Sequence, residues 1–137
     1  MEMSNENLSH CVPIGIAKID RQHLEFVKII NDFHGEIVSD HGVEVLENVF
    51  DSLFDYARLH FRDEEILMRK HNYPGLADHK SEHQLLLEEL EKQTNACLGV
   101  DHPHPEIVLQ FLRKWLIEHV NDLDVEMGKF LVLKGEC

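Results

Sequence analysis

The 137-residue sequence lacks several features that would place it at a membrane or on a nucleic acid. It has no apolar run near the roughly 20 residues needed to span a bilayer. Its start, MEMSNENLSHCVP, has neither the basic residues nor the apolar core of a signal peptide. Basic residues are few, with 13 Lys and Arg against 26 Asp and Glu and a formal net charge of −13. These absences argue against export, membrane insertion and binding to nucleic acid or an anionic membrane, and predict a cytoplasmic protein.

Cysteine is also scarce. Cys11, Cys97 and Cys137 are odd in number and far apart, so they form neither a disulfide framework nor a thiolate metal motif. No low-complexity tract, long linker or repeat interrupts the chain. A length of 137 residues with 43% apolar residues suits one soluble domain with a real core. We therefore predict a single domain over residues 1–137, with its core at about residues 14–131.

Apolar residues recur at helical spacing along nearly the whole chain, and no alternating strand pattern is present. After an irregular leader over residues 1–18, the spacing predicts a first helix that runs to about residue 38, with Asp20 as its cap or first-turn acid. It also predicts helices over residues 43–70 and 76–96 and a fourth from Pro105. Gly128 is expected to end or weaken the fourth helix. Short connections make successive helices antiparallel. The predicted fold is therefore all-α, an antiparallel up-down-up-down four-helix bundle with a short irregular N-terminal leader.

Histidine is abundant, with eleven residues, and every predicted helix carries at least one on its apolar stripe. Two candidate ligand pairs are four residues apart, which places both members on one helix face. A buried polar group without a partner costs about 1–3 kcal/mol, so a single inward histidine usually bonds to a backbone carbonyl. A shared metal centre satisfies the whole inward set more simply; the set is His23, His60, Glu64, His79, His83, His119 and an aspartate of the fourth helix.

The donor types narrow the choice of metal. Imidazole and carboxylate without thiolate suit iron, zinc, manganese or copper. Two ions bridged by the carboxylates use all the donors, and with octahedral iron one of about twelve positions stays open. The spacing leaves two candidates for the aspartate. Asp122 lies nearer the face of His119 on a regular helix, whereas Asp124 needs a π-bulge.

The order of these motifs resembles the hemerythrin family, specifically a bacterial hemerythrin or hemerythrin-like domain, over about residues 14–131. The resemblance begins at Gly15-Ile16 and Ile19-Asp20-Arg21-Gln22-His23. It continues through His60-Phe61-x-x-Glu64-Glu65-x-x-Met68, Tyr73-Pro74 and His79-x-x-x-His83. It ends with Trp115-Leu116-x-x-His119-x-x-x-x-Asp124.

The resemblance implies two non-haem iron ions with an oxo or hydroxo bridge. One iron would be held by His79, His83 and His119, and the other, with an open position for O2, by His23 and His60. Glu64 and Asp124 would bridge the pair, which favours Asp124 over Asp122. The resemblance also implies an apolar O2 pocket formed by Phe26, Phe61, Trp115 and Leu116.

Some residues depart from the family pattern. The leader has no tryptophan, and Leu86 stands where the family often has a phenylalanine, so we expect an altered pocket shape. Glu65 is adjacent to Glu64 but faces off the apolar stripe. It is expected to be a solvated surface acid.

The leading functional hypothesis is reversible O2 binding for storage, delivery or sensing, without enzymatic turnover. O2-activating di-iron bundles typically use carboxylate-rich sets with Glu-x-x-His pairs, which are absent here. One alternative is a di-iron oxidase, a peroxidase, or a protein that handles nitric oxide or donates iron for repair. Another is a sensory module that acts on a signalling partner or a fused domain. The centre could also take nitric oxide or small anions, and a bundle with zinc or no metal stays open.

Overall fold

The computed structural model describes residues 13–38, 42–97, 104–118 and 123–137, without the side chains of residues 42–46 and 97. Its helices in chain order are α1 (Ala17–Val38), α2 (Gly42–Lys70), α3 (Leu76–Cys97), α4 (Pro105–Glu118) and α5 (Val125–Leu133). No strand occurs in these ranges, so the prediction of an all-α protein is confirmed. None of the described helices combines the length and apolar character needed to cross a membrane.

The first helix begins at Ala17, so Asp20 lies in its first turn, which is one of the two positions predicted for it. The Asp20 carboxylate accepts the backbone N–H of Ile14 at 2.8 Å and that of Gly15 at 3.2 Å. Ile14 and Ile16 are buried. The residues before α1 are thereby held against the body of the protein.

The turn between α2 and α3 places two candidate ligand pairs next to each other. Asn72 ends α2 in the left-handed conformation, with φ 55°. Its N–H donates to the Arg69 carbonyl at 3.2 Å, and the Tyr73 N–H donates to the Met68 carbonyl at 2.9 Å. This is the Schellman pattern of a helix C-terminus, in which asparagine can replace glycine. The chain reverses within a few residues, and α3 begins at Leu76.

Two apolar clusters form the core. The larger one includes Phe26, Phe61 and Trp115, and α1, α2, α3 and α4 all contribute to it. The smaller one includes Ile19 and Met68, together with residues before α1 and residues of α5. Along α1, His23 lies between Ile19 of the smaller cluster and Phe26 of the larger. The predicted ligands that lie within the described residues therefore form a polar layer between two apolar ones.

Gly128 does not end the last helix, as the sequence had indicated, but lies buried inside α5. A Cβ atom added there would lie 2.7 Å from the Ile14 Cβ and 2.8 Å from the Ile14 carbonyl oxygen. Such distances are below van der Waals contact. Glycine is needed at this position because α5 packs directly on the backbone that precedes α1.

Replacing Gly128 by alanine is expected to lower the free energy of unfolding by about 1–3 kcal/mol, since the backbone at Ile14 must move. Urea unfolding followed by circular dichroism measures the change. Gly35→Ala in α1 is the matched control, because a Cβ there meets no atom within 4 Å. The control is expected to be neutral or slightly stabilising. Equal destabilisation by both variants would contradict the packing explanation.

Candidate metal centre

Six of the seven predicted metal ligands converge in the polar layer between the two clusters. Each of them is at most 4% exposed. The six come from different parts of the chain: His23 from α1, His60 and Glu64 from α2, His79 and His83 from α3, and Asp124 from the turn before α5. Residues 119–122 lie outside the described part of the chain, so His119 as a ligand stays a prediction.

One half of the site contains His23 and His60. The His60 Nε2 atom lies 2.9 Å from Oε2 of Glu64 and 3.7 Å from Oδ2 of Asp124. The His23 Nε2 atom lies 2.9 Å from the same Asp124 oxygen and 3.8 Å from the same Glu64 oxygen. Two imidazole nitrogens and two carboxylate oxygens thus face one point.

The other half contains His79 and His83, and it uses the remaining oxygen of each carboxylate. The His83 Nε2 atom lies 3.0 Å from Oε1 of Glu64. The His79 Nε2 atom lies 3.1 Å from Oδ1 of Asp124 and 3.7 Å from Oε1 of Glu64. Glu64 and Asp124 therefore each present one oxygen to each half, as bridging carboxylates do.

These distances fit a pair of metal ions. Two ligand atoms at right angles, each about 2.1 Å from an ion, lie about 3.0 Å apart. The shortest contacts in both halves are 2.9–3.1 Å. In each half the four donor atoms all lie within 4.8 Å of one another. Imidazole nitrogen with carboxylate oxygen is a donor set that suits iron, zinc, manganese or copper.

Asp124 reaches the site through an irregular turn. Leu123 and Asp124 are in a π-helical conformation immediately before α5. A π-helical turn takes more residues than an α-helical one and so rotates the following side chains. Such a turn is what the five-residue step from His119 to Asp124 requires. Asp124 is buried and bonded to two histidines, whereas Asp122 lies outside the described residues.

A second layer of side chains orients the histidines, and sequence reasoning missed it. The Nδ1–H of His60 donates to Oε1 of Gln22 at 2.7 Å. The Gln22 amide in turn donates to Asp63 at 2.8 Å, and Lys18 Nζ lies 3.4 Å from that carboxylate. Holding Nδ1 in this way directs Nε2 of His60 toward the centre. The sequence did offer one indication of this layer, because Gln22 and Asp63 are polar residues adjacent in sequence to predicted ligands.

Glu65 belongs to the same layer, and its interpretation as a solvated surface acid was wrong. Its Oε2 atom accepts the Nδ1–H of His83 at 2.8 Å. The Glu65 side chain is only 22% exposed. The apolar stripe of α2 alone could not reveal this contact, because the donor belongs to α3. The Glu65 side chain lies against α3 instead of extending into solvent.

Three of the buried histidines, His23, His60 and His79, have raised pKa values. Burial by itself lowers the pKa of His60, but attraction to Glu64 and hydrogen bonds with Asp124 and Glu64 raise it from 6.5 to about 10. Burial likewise opposes protonation of His79, while hydrogen bonds with Asp124 and Glu64 raise its pKa to about 9. The pKa of His23 is raised in the same sense. Burial raises the pKa of Glu64, but His60 and the other histidines hold it well below 4.5.

Aromatic rings cover one side of the histidines. The Phe61 ring stacks on His83, with ring centres 4.0 Å apart and planes at 9°. The Phe26 ring lies edge-on to His60 at 5.4 Å, and Trp115 lies 5.8 Å from Phe26. The four residues predicted to form an apolar pocket are all buried in the larger cluster: Phe26, Phe61, Trp115 and Leu116.

Comparison with known proteins agrees with this geometry. The family model described as the hemerythrin HHE cation binding domain matches residues 14–130. A bacteriohemerythrin of Methylococcus capsulatus is 31% identical over 121 residues, covering 86% of this chain and 88% of that protein. A bacteriohemerythrin of Stenotrophomonas maltophilia is 31% identical over 111 residues (81% and 71%), and a myohemerythrin of Theromyzon tessulatum 27% over 107 residues (78% and 78%). With a family model spanning most of its length and its candidate ligands gathered around two shared carboxylates, this chain belongs to the hemerythrin family.

Proposed function

We propose that this chain is a non-haem di-iron protein that binds O2 reversibly at one open iron position, for storage, delivery or sensing. The observation that carries the proposal is the sharing of two carboxylates between two histidine pairs. Glu64 and Asp124 each present separate oxygens to the two halves, at 2.9–3.1 Å from the nearest histidine nitrogens. A site for a single ion would not need this division.

Each candidate ligand has a separate role in the proposal. His23 and His60 would hold the iron with the open position, and His79, His83 and His119 would hold the other. Glu64 and Asp124 would bridge the two ions together with an oxo or hydroxo group. When bound, the iron pair supplies the open position and the electrons that O2 binding requires. The chain supplies neutral imidazoles, two bridging charges and a fixed separation between the halves.

The surroundings favour binding over turnover. Phe26 lies edge-on to His60 and Phe61 stacks on His83, while Trp115 and Leu116 are buried in the same apolar cluster. These four side chains would exclude water from bound O2. A set dominated by neutral imidazoles also provides less negative charge for high-valent iron than a carboxylate-rich set does. Both features support a centre that releases O2 unchanged. We therefore propose a carrier or sensor rather than an enzyme.

The test is anaerobic loading with iron(II), followed by cycles of O2 and vacuum with optical spectra. We expect an absorption band that appears with O2 and disappears under vacuum over several cycles. An irreversible change on first exposure to O2 would contradict reversible binding. No charge-transfer absorption with iron and air would contradict the di-iron assignment itself.

His60→Ala is expected to reduce iron content from about two ions per chain to about one, because it removes the imidazole nearest Oε2 of Glu64 from one half of the centre. Elemental analysis after anaerobic loading and gel filtration measures the ratio of iron to protein. His104→Ala is the control, since His104 is exposed at the start of α4. Equal iron loading of the two variants would show that the site is assigned wrongly.

We also infer that the chain is one domain whose helices form an antiparallel up-down-up-down four-helix bundle. Three pairs between α1 and α2 support the first reversal: Lys18 with Asp63, His23 with His60 and Phe26 with Tyr56. Residue numbers rise along α1 while those of their partners fall along α2. Contacts of α3 with α2 and of α4 with α1 are consistent with the remaining order.

A further inference from the structure

In each half of the candidate centre, one histidine donates its outer N–H, at Nδ1, to a neighbouring side chain, and the two acceptors differ in charge. In the half with His60, the acceptor is the neutral amide oxygen of Gln22, at 2.7 Å. In the half with His83, it is the carboxylate of Glu65, at 2.8 Å. Geometry is nearly the same in both contacts, but the charge on the acceptor differs.

The carboxylate of Asp63 lies behind the Gln22 amide. Asp63 is 8% exposed and accepts the Gln22 amide N–H at 2.8 Å, which fixes the amide with its oxygen toward His60. Lys18 lies 3.4 Å from the same carboxylate and partly balances it. The amide oxygen of Gln22 therefore orients His60, and the Asp63 carboxylate acts on it through that amide.

A carboxylate in contact with the outer N–H of a metal-bound imidazole raises the basicity of that ligand. Because Nδ1–H of His83 shares its proton with an anion, Nε2 becomes a stronger electron donor to whatever it binds. Stronger donation stabilises the more highly charged state of a metal ion and so lowers its reduction potential. A neutral amide has the same orienting effect without this electronic one.

We propose that Glu65 is a positioning residue that strengthens electron donation by His83, lowering the reduction potential of the loaded centre and slowing metal loss. This inference rests on the proposed di-iron function. Glu65 acts through His83 and need not touch iron or O2. It also gives a physical role to a residue whose position on α2 alone suggested a surface acid.

Glu65 is well placed for tests that separate its charge from its shape. It lines a cavity of about 280 Å³ together with Phe61 and His83. Glu65→Gln keeps an acceptor oxygen for His83 and removes the charge, whereas Glu65→Ala removes both. Glu82→Gln is the matched control, because Glu82 is an exposed acid adjacent to His83 in α3.

The experiment loads the unchanged protein and the three variants anaerobically with iron(II). It then measures iron per chain, the midpoint potential by spectroelectrochemical titration, and the rate of iron removal by a chelator. We expect Glu65→Gln to keep about two irons per chain but to have a higher midpoint potential, with no change in Glu82→Gln. Glu65→Ala is expected to lose iron faster than the unchanged protein, since removing such a partner typically costs about 10–100-fold in metal affinity.

The outcomes separate this inference from the function on which it rests. If the unchanged protein does not bind two irons, the proposed function fails. If it does, but the midpoint potential of Glu65→Gln equals that of Glu82→Gln, the role of the Glu65 charge is overturned. Iron release from Glu65→Ala at the rate of the unchanged protein would overturn its positioning role.

Discussion

Replacing Glu64 by alanine is expected to abolish iron binding in both halves of the centre at once. Glu64 Oε2 lies 2.9 Å from His60, and Oε1 lies 3.0 Å from His83, so each half loses a ligand and a negative charge. No single histidine has this effect, because each serves one half. Iron content is expected to fall from about two ions per chain to near zero, measured by elemental analysis after gel filtration.

The same substitution also weakens the metal-free protein. With Glu64 gone, His60 and His79 lose the carboxylate that favours their protonated forms, and a buried charge without its partner costs about 3–5 kcal/mol. Glu64→Gln keeps the shape and removes only the charge, so it distinguishes lost packing from lost binding. Glu126→Ala is the control, since Glu126 is an exposed acid of α5 whose carboxylate lies 3.4 Å from Lys129 at the surface. Retention of one iron in Glu64→Ala would contradict the bridging role.

Stability of the metal-free protein is expected to fall as pH rises from about 6.5 to 10. The pKa values of His60 and His79 are about 10 and 9 in the folded chain, against 6.5 when unperturbed. Groups with raised pKa values bind more protons in the folded state, so their stabilisation is complete below pH 6.5 and is lost as pH passes through 9 and 10. Glu64 has a lowered pKa, so its contribution is present above pH 4.5 and is lost as pH falls below that value. The metal-free protein is therefore expected to be most stable between about pH 4.5 and 6.5.

Urea unfolding of the metal-free protein at pH 6, 7.5 and 9 tests this order, with an expected loss on the order of a few kcal/mol across the range. Metal ions compete with protons for the same nitrogens, so iron affinity is expected to rise over the same range. Iron loading at pH 7 should release protons from His60 and His79, which calorimetry in buffers of different ionisation enthalpy detects. His79→Ala is the comparison variant and should show a flatter pH dependence. Constant stability of the unchanged metal-free protein from pH 6.5 to 9 would refute the assignment of these protons.

The helices could be predicted well because their signals are local. Apolar residues recur every three or four positions along α2, and the Asn72–Gly75 break stops that pattern. Gly128 was interpreted wrongly for the opposite reason. A glycine in a helical stretch usually indicates a helix end or a weakened helix. Here its missing side chain leaves room for the backbone of Ile14, which is more than a hundred positions earlier in the chain.

Much of the candidate site was also visible in the spacing. His60 and Glu64 share a helix face because they are four residues apart, and so do His79 and His83. Because the whole set was expected to be buried, one shared metal centre explained it more simply than a separate hydrogen bond for each residue. The choice of Asp124 over Asp122 was harder, because on a regular helix Asp122 lies nearer the face that carries His119. The π-helical turn at Leu123 and Asp124 changes that rotation.

Helical periodicity is a property of neighbouring residues, so the order of these amino acids was enough to predict α1 to α4 and the inward histidines of α1 to α3, whereas α5 continues past the glycine that was expected to end or weaken the last helix. Pairing between helices depends on how far each one is rotated and shifted against the next, and spacing within one helix does not set those quantities. The contacts of Gln22 with His60 and of Glu65 with His83 are of this second kind. So is the division of Glu64 and Asp124 between two histidine pairs, since it exists only where three helices and a turn meet.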